Sequence, residues 1–242
     1  MSELIDQALK TATETKDIIF GDDVNKEAGP LFARLYPGQK VLVVADENTY
    51  DAVGDVVVES LCRAGVEFAD EPYIFPGTPT LYAGYENVEK LREVLRTYEN
   101  TVALSIGGGT LNDIAKLASG ELGREYINVC TAASVDGFAS FGASISKDGF
   151  KITRNCPAPA GLVMDIETMM KAPYRLTATG YGDLIEKIPA GADWILSNEL
   201  GIEPVSYTHL TLPTNTCGAW YKARSWIRWP TRRPCTSAST MP

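Results

Sequence analysis

The chain has 242 residues, 45% of them hydrophobic, enough apolar material for one large domain or two modest ones. Acids outnumber bases 31 to 22, for a formal net charge of -9, which argues against a general nucleic-acid binder. No apolar run approaches the ~20 residues of a membrane-spanning helix, and the N-terminus lacks the basic start and apolar core of a signal peptide. The five cysteines, Cys62, Cys130, Cys156, Cys217 and Cys235, are odd in number, widely spaced and without a CxxC pair, which predicts reduced thiols in a cytoplasmic protein.

In chain order, Ser2 to Thr13 carries Leu4, Ile5 and Leu9 at helical spacing, and Asp17 to Phe20 reads as a short strand. Asp22 to Tyr36 predicts a helix with Val24, Ala28, Leu31, Phe32 and Leu35 on one side; Pro30 fits only near its start or at a kink. Beyond the Pro37-Gly38 turn, Lys40 to Ala45 (KVLVVA) has the β-branched run of a fully buried parallel strand. Asp46, Glu47, Asn48 and Thr49 follow, ahead of a helix running to Ala64. Two readings of that tetrapeptide stand: contact with a ribose or adenine just past a parallel strand, or a helix cap by Asn48 or Thr49. Val66 to Ile74 predicts another strand, stopped by Pro76-Gly77. Glu86 to Tyr98 predicts an amphipathic helix with Val88, Leu91, Leu95 and Tyr98 on its core stripe.

The stretch that organises the chain comes next. Thr101 to Ile106 reads as a buried strand, Gly107, Gly108 and Gly109 follow, and a helical pattern opens at Thr110. Strand, glycine turn and helix start bring backbone N–H groups up to a phosphate, and glycine matters there because a Cβ would block close approach. The alternative is a turn with no ligand. Thr110 and Asp113 have capping-box spacing, with Asp in place of Glu or Gln. A carboxylate beside a phosphate repels it, so Asp113 is read as a cap or as a partner for ribose or amide groups.

Tyr126 to Cys130 is a further strand, leading into Thr131, Ala132, Ala133 and Ser134, then Val135-Asp136-Gly137 and Ser140. Small and hydroxyl residues here let a second loop approach the same ligand. Ser144 to Thr153 predicts a hairpin turning at Asp148-Gly149, and Leu162 to Ile166 one more strand. Helices are then expected at Glu167 to Lys171, Arg175 to Ala192 and Trp194 to Leu200. The fold class is therefore α/β: a parallel-sheet domain over residues 1–166, followed by the start of an all-α domain over 167–206. Asp183 and Lys187 in the helical part are i, i+4, read either as a surface ion pair of ~0.3–0.5 kcal/mol or as a carboxylate metal ligand at a cleft.

Three motifs in order, GGGTLNDIAK, TAASVDGFAS and TGYGDLIEK, resemble the iron-containing alcohol dehydrogenase and dehydroquinate synthase-like superfamily, with the resemblance spanning residues 15 to 205. Within it they look most like the sn-glycerol-1-phosphate dehydrogenases. The resemblance implies a Rossmann-like domain for NAD or NADP and a helical domain supplying most of a divalent metal site, with Zn, Ni or Fe as the ion. It implies an oxidoreductase interconverting dihydroxyacetone phosphate and sn-glycerol 1-phosphate, a small-molecule phosphate substrate, no nucleic-acid or membrane partner, and a homo-oligomer for the complete enzyme. Other members of the superfamily, such as a glycerol dehydrogenase or a dehydroquinate synthase-like lyase, are the neighbouring alternatives. By this likeness the cofactor is held by the glycine turn from Gly107 through Gly108, Gly109, Thr110, Leu111 and Asn112 to Asp113, by Thr131, Ala132, Ala133 and Ser134, and by Ser140, while Asp46 or Glu47 faces the adenosine ribose. Asp136 is implied to contact substrate, and Asp183 to bind both substrate and metal.

The family's two histidine ligands lie well downstream of such an aspartate. This chain has one histidine, His209, in a stretch without helical period, and it is not assigned as a ligand. From Tyr207 the composition changes: no acid follows Glu203, while Trp220, Trp226, Trp229, Lys222, Arg224, Arg228, Arg232 and Arg233 cluster. SYTHLTLPTN resembles translated adapter or vector DNA, so residues 207–242 are expected to be a non-native tail on a truncated helical domain, and the literal polypeptide to bind cofactor without turnover. The rival reading is a basic-aromatic appendage for single-stranded nucleic acid or an anionic membrane. Truncation would leave Leu184, Ile188, Trp194, Ile195 and Leu196 short of partners and favour aggregation.

Overall fold

Lys40–Asp46 (β2) and Thr101–Gly107 (β4) pair in parallel inside a six-stranded sheet, with Val41 opposite Val102 and Val44 opposite Ser105. In the computed structural model, which describes residues 2–205, Asp17–Gly21 (β1), Tyr73–Phe75 (β3), Tyr126–Cys130 (β5) and Gly161–Asp165 (β8) complete this sheet in the order β1-β8-β5-β4-β2-β3. All five pairings are parallel. Ala143–Lys147 (β6) and Phe150–Arg154 (β7) form a separate antiparallel hairpin, turning at Asp148 (φ 52) and Gly149 (φ 79) as expected.

Strand side chains alternate between two cores, the period-two consequence of a sheet covered on both faces. Val41, Val43, Leu104 and Ile106 pack with Leu31 and Phe32 of Ala28–Leu35 (α2) and with Val57 and Leu61 of Glu47–Arg63 (α3). Leu42, Val44 and Ala103 pack on the opposite face with Val88 and Leu91 of Tyr85–Arg96 (α4) and Ile114 and Ala118 of Gly109–Gly120 (α5). Ser2–Leu9 (α1) precedes the sheet, and Ile166–Lys171 (α6) and Tyr174–Glu199 (α7) follow it.

Three expectations are corrected. Val66 to Ile74 is not one strand: Phe68 makes a single bridge to Val41, and pairing resumes only at Tyr73 opposite Val44. The intervening stretch is longer than its partner on β2, and it bends where Asp70 Oδ1 accepts the Glu71 N–H (2.9 Å). Asp22 to Tyr36 is a 3-10 turn, Asn25–Glu27, followed by α2, with Pro30 in the first turn of α2, where a missing N–H costs nothing. The helices expected at Arg175 to Ala192 and Trp194 to Leu200 are one helix, α7, with Pro189 inside it.

The chain divides into two compact units, Met1–Ile185 and Glu186–Pro242. The proline ring of Pro189 removes the N–H that would have bonded Ile185 O, the last residue of the first unit. In the second unit the helix ends in a Schellman turn, where Gly201 (φ 70) donates to Asn198 O and Ile202 to Ser197 O. Of the five apolar residues singled out in this helix, Ile188 and Leu196 are exposed, and Leu184, Trp194 and Ile195 are half-buried. The stretch 207–242, with His209, lies outside the described residues. Among the described residues no helix is long and apolar enough to cross a membrane.

Two contacts fix the layer of α2 and α3 and the end of β8. Gly29 donates to Ser60 Oγ (2.9 Å), and a Cβ at Gly29 would overlap the Ser60 carbonyl. Buried Asp165 accepts the N–H groups of Val24 (2.6 Å) and Asn25 (3.3 Å) through Oδ2 and caps α6 by taking Thr168 N–H (2.9 Å) on Oδ1. Burial pushes its carboxyl up, but these donated bonds outweigh burial and hold it below the usual carboxylate range. Gly29→Ala is expected to lower unfolding stability by about 3 kcal/mol, by overpacking α2 against α3, as read from urea denaturation. Asp165→Asn is expected to cost about 2 kcal/mol at neutral pH, because an amide N–H₂ then faces backbone donors. The depressed folded pKa means that Asp165 stabilises fully above its unfolded pKa of about 3.9 and less as pH falls through the folded value. Wild type and Asp165→Asn should therefore converge in stability below that range, as measured by urea midpoints across pH.

Candidate functional site

Sheet order reverses between β2 and β4: β2 is followed by β3 on one side, and β4 by β5 on the other. Outside the carboxyl ends of strands at such a switch point, neighbouring loops part and leave a crevice. Three loops meet this end: Asp46 to Thr49 after β2, Gly107 to Asp113 after β4, and Thr131 to Ser140 after β5.

The glycine turn is built as the sequence suggested, but its cap is not. Gly108 (φ -80, ψ -163) is the N-cap of α5 without any side-chain cap bond, so Thr110 and Asp113 form no capping box. The first intrahelical bond is Asn112 N–H to Gly108 O (3.0 Å), so the amides of Thr110 and Leu111 precede the ladder, as the first N–H groups of any helix do. Gly109 donates instead to Ser134 Oγ (3.1 Å), which ties the turn to the loop after β5. A Cβ on Gly108 would lie 2.9 Å from that hydroxyl, and one on Gly109 2.7 Å from Val135 Cγ1, so only glycine lets the two loops meet.

Asp113 turns away from this meeting point. Its Oδ2 accepts the Ser144 N–H (3.2 Å) at the start of β6. Burial raises the carboxyl above its usual range, opposed by the charge of Lys116, the Ser144 bond and Lys151, and helped by Asp183. One turn on, Lys116 is fully buried and its Nζ donates to Ser140 O (2.9 Å) and Gly142 O (3.2 Å). Burial lowers its pKa against the pull of Asp113. Lys116 was missed because a lysine amid Ala115 and Leu117 reads as the solvated face of a helix. Its spacing of three from Asp113 was the available signal. Buried Asn112 accepts from the Tyr126 hydroxyl through Oδ1 (2.9 Å) and so braces α5 on β5. Ser140 Oγ donates to Gly137 O (2.7 Å) and shapes the end of the second loop.

Asp46 proves to be the N-cap of α3 in place of Asn48 or Thr49. It accepts Thr49 N–H on Oδ1 (2.9 Å), and Thr49 Oγ1 takes the Asp46 N–H in return (3.1 Å). Glu47 Oε2 accepts Gly77 N–H (2.9 Å), drawing the loop after β3 to the same end of the sheet.

From the other side α7 reaches the second loop. Asp183 Oδ2 accepts the Asp136 N–H (3.0 Å), Thr179 Oγ1, which donates to Leu176 O (2.7 Å), lies 3.4 Å from Ser134 O, and a Cβ at Gly180 would overlap Ala133 O. Asp136 and Asp183 are thus brought together, and both join the loops of the glycine turn. Burial pushes the Cys130 thiol up to about 12 and the Cys156 thiol up to about 11, so neither is a nucleophile at neutral pH. Among the described residues no three His, Cys, Asp or Glu side chains are grouped to hold a metal ion.

A family model described as iron-containing alcohol dehydrogenase matches residues 19–173. The chain belongs to that family. Among its relatives, a glycerol-1-phosphate dehydrogenase (NAD(P)+) of Halalkalibacterium halodurans is 36% identical over 164 residues, 68% of this chain and 41% of that protein. The chain spans about half the length of the curated relatives it matches. The crystal structure of glycerol dehydrogenase from Schizosaccharomyces pombe superposes with a TM-score of 0.62 at 22% identity, over 77% of this chain and 46% of that one. That of 2-deoxy-scyllo-inosose synthase complexed with carbaglucose-6-phosphate, NAD+ and Co2+ gives 0.58 at 19% identity, over 70% and 47%. At these identities the two structures establish a shared fold.

Lys116→Met removes the donor to the Ser140 and Gly142 carbonyls while keeping most of the side-chain volume. It is expected to cost about 2 kcal/mol of stability and to speed amide exchange over 137–144, measured by urea denaturation and hydrogen-exchange mass spectrometry.

Proposed function

We propose that this chain binds NAD(H) or NADP(H) across the glycine turn and that the protein exchanges hydride between the cofactor and the pair dihydroxyacetone phosphate and sn-glycerol 1-phosphate. The observation that carries the reading is the Gly109 N–H to Ser134 Oγ bond, which joins two loops at the carboxyl ends of β4 and β5, beside the switch point. The residues fit a dinucleotide. The amides of Thr110 and Leu111 lead α5 without an intrahelical partner, a ready anion site. Asp113, the carboxylate on the first turns of α5, is engaged with the Ser144 N–H.

In this reading the residues from Gly107 to Asp113 and from Thr131 to Ser134, with Ser140, hold the cofactor. The hydroxyl of Ser134 can accept from Gly109 and still donate its own proton to a phosphate oxygen. Asp46 or Glu47 meets the adenosine ribose. Two carboxylates there suit a 2′-hydroxyl and oppose a 2′-phosphate, which favours NADH over NADPH. Asp136 and Asp183 face the substrate. A bound nicotinamide would supply the hydride carrier. The substrate class is taken from the name of the relatives, glycerol-1-phosphate dehydrogenase (NAD(P)+).

A divalent metal does not fit the described residues by themselves. Asp183 is one carboxylate with an oxygen already bonded to Asp136 N–H, and stable sites use three or more protein ligands. The same observation, with a chain that spans about half of its relatives, favours a second reading: nucleotide binding without turnover by these 242 residues.

Titration of the purified chain with NADH and NADPH, followed by nucleotide fluorescence, is expected to show binding, tighter for NADH. Gly108→Val is expected to weaken it by more than about ten-fold by forcing the two loops apart. Absence of binding up to about 1 mM nucleotide would sink the proposal. Oxidation of NADH by dihydroxyacetone phosphate with added Zn2+ or Ni2+ separates the two readings: turnover supports the first, and binding alone the second.

A further inference from the structure

Asp183 is the residue that the family resemblance reserves for metal and substrate, yet its carboxylate here serves a different end. Oδ2 accepts the backbone N–H of Asp136 (3.0 Å). One turn earlier on the same face of α7, Thr179 Oγ1 lies 3.4 Å from Ser134 O. Between them Gly180 brings the helix backbone so near Ala133 O that no Cβ fits. Positions 179, 180 and 183 form one stripe of a helix, and that stripe grips the loop from Ala133 to Asp136. On its far side the same loop reaches the nucleotide turn, where Ser134 Oγ takes Gly109 N–H (3.1 Å). The loop is held from two directions, by α5 and by α7, through three residues.

We propose that Asp183 is also a positioning residue for nucleotide binding: its carboxylate latches the Ala133–Asp136 loop, and so Ser134, onto the first turn of α5 without any metal. This rests on the nucleotide reading above, although the latch itself does not require it. A carboxylate has two oxygens, so Oδ2 can hold the loop while Oδ1 serves a ligand. Losing the latch frees one end of the loop and lets Ser134 leave Gly109, and the nucleotide must then order the loop as it binds. The roles separate by chemistry. An amide oxygen can accept the Asp136 N–H as a carboxylate does, but it is a poor metal ligand.

The test uses the full chain in chelator, comparing wild type, Asp183→Asn, Asp183→Ala and Gly180→Ala. The first readout is hydrogen exchange of the amides from Ala133 to Asp136 and of Gly109, with the strand amides of β4 and β5 as an internal reference. Asp183→Asn is expected to keep wild-type protection, and Asp183→Ala to lose about five-fold, the worth of one partly exposed hydrogen bond. Gly180→Ala is expected to lose at least as much although its carboxylate is intact, because the added methyl pushes α7 off the loop. The reference amides should not change. The second readout is NADH affinity, expected to fall in the same order, with Asp183→Asn close to wild type. Equal loop protection in Asp183→Ala and wild type, or an Asp183→Asn that behaves like Asp183→Ala, would overturn the latch. Protection that follows the expected order in a chain that binds no NADH would sustain the latch and overturn the nucleotide reading instead.

Discussion

A backbone-to-side-chain bond, Gly109 N–H to Ser134 Oγ, joins the two loops on which the candidate site depends, beside a backbone bond from Thr131 N–H to Gly107 O (3.4 Å). Because it joins the first turn of a helix to the loop of the next strand, neither segment can shift without the other. The glycines follow from it. Gly108 and Gly109 are bare because Ser134 and Val135 occupy the space where their Cβ atoms would stand. A sequence reader sees three glycines and infers room for a ligand; in the folded chain a neighbouring loop fills part of that room. The phosphate reading and the turn reading are therefore not rivals, since the same absence of Cβ that closes the loops leaves the leading amides of α5 approachable.

Helix α5 acts as the spine of this end of the molecule. Its N-terminus meets Ser134, Asn112 meets Tyr126, Asp113 meets Ser144, and Lys116 meets the carbonyls of Ser140 and Gly142. Two ionisable groups one turn apart are withdrawn from water: Lys116 takes up carbonyls of the loop after β5, and Asp113 an N–H of β6, the strand that loop leads into. Burying a lysine is costly unless its protons are used, and two carbonyl acceptors use them. The loop after β5, which runs from Thr131 to Gly142, is thereby set at both ends.

The site lies at the end of the sheet where parallel geometry puts it. Strands covered on both faces send alternate side chains into two cores, and their carboxyl ends carry the polar loops. Asp165 performs at β8 what Asp46 does at β2, capping the helix that follows its strand. Carboxylates at the ends of these strands thus have structural work of their own, and a carboxylate there is not by itself a mark of cofactor contact. Family membership, shown over residues 19–173, covers this sheet and its turns.

Much of the α/β order was legible because its signals are local. β-branched runs such as Lys40 to Ala45, the glycine turn, the Asp148-Gly149 hairpin and the stripe of α4 each depend on near neighbours in the chain. The ordered motifs likewise identified the family. What local pattern could not give was the partner of any polar side chain. Asp113 satisfied the spacing of a cap but bonds across to Ser144; Lys116 satisfied the spacing of a surface residue but is buried. Val66 to Ile74 has strand composition, but whether it pairs depends on the register of β2, set by contacts distant in sequence. The amino-acid order by itself determined which segments become strands and helices and where glycine is needed, because those preferences are properties of a residue and its next few neighbours. Only the tertiary structure decided which carboxylates are caps, which amides are taken and that Asp183 meets Asp136, because hydrogen bonds between segments exist only once the sheet has brought their ends together.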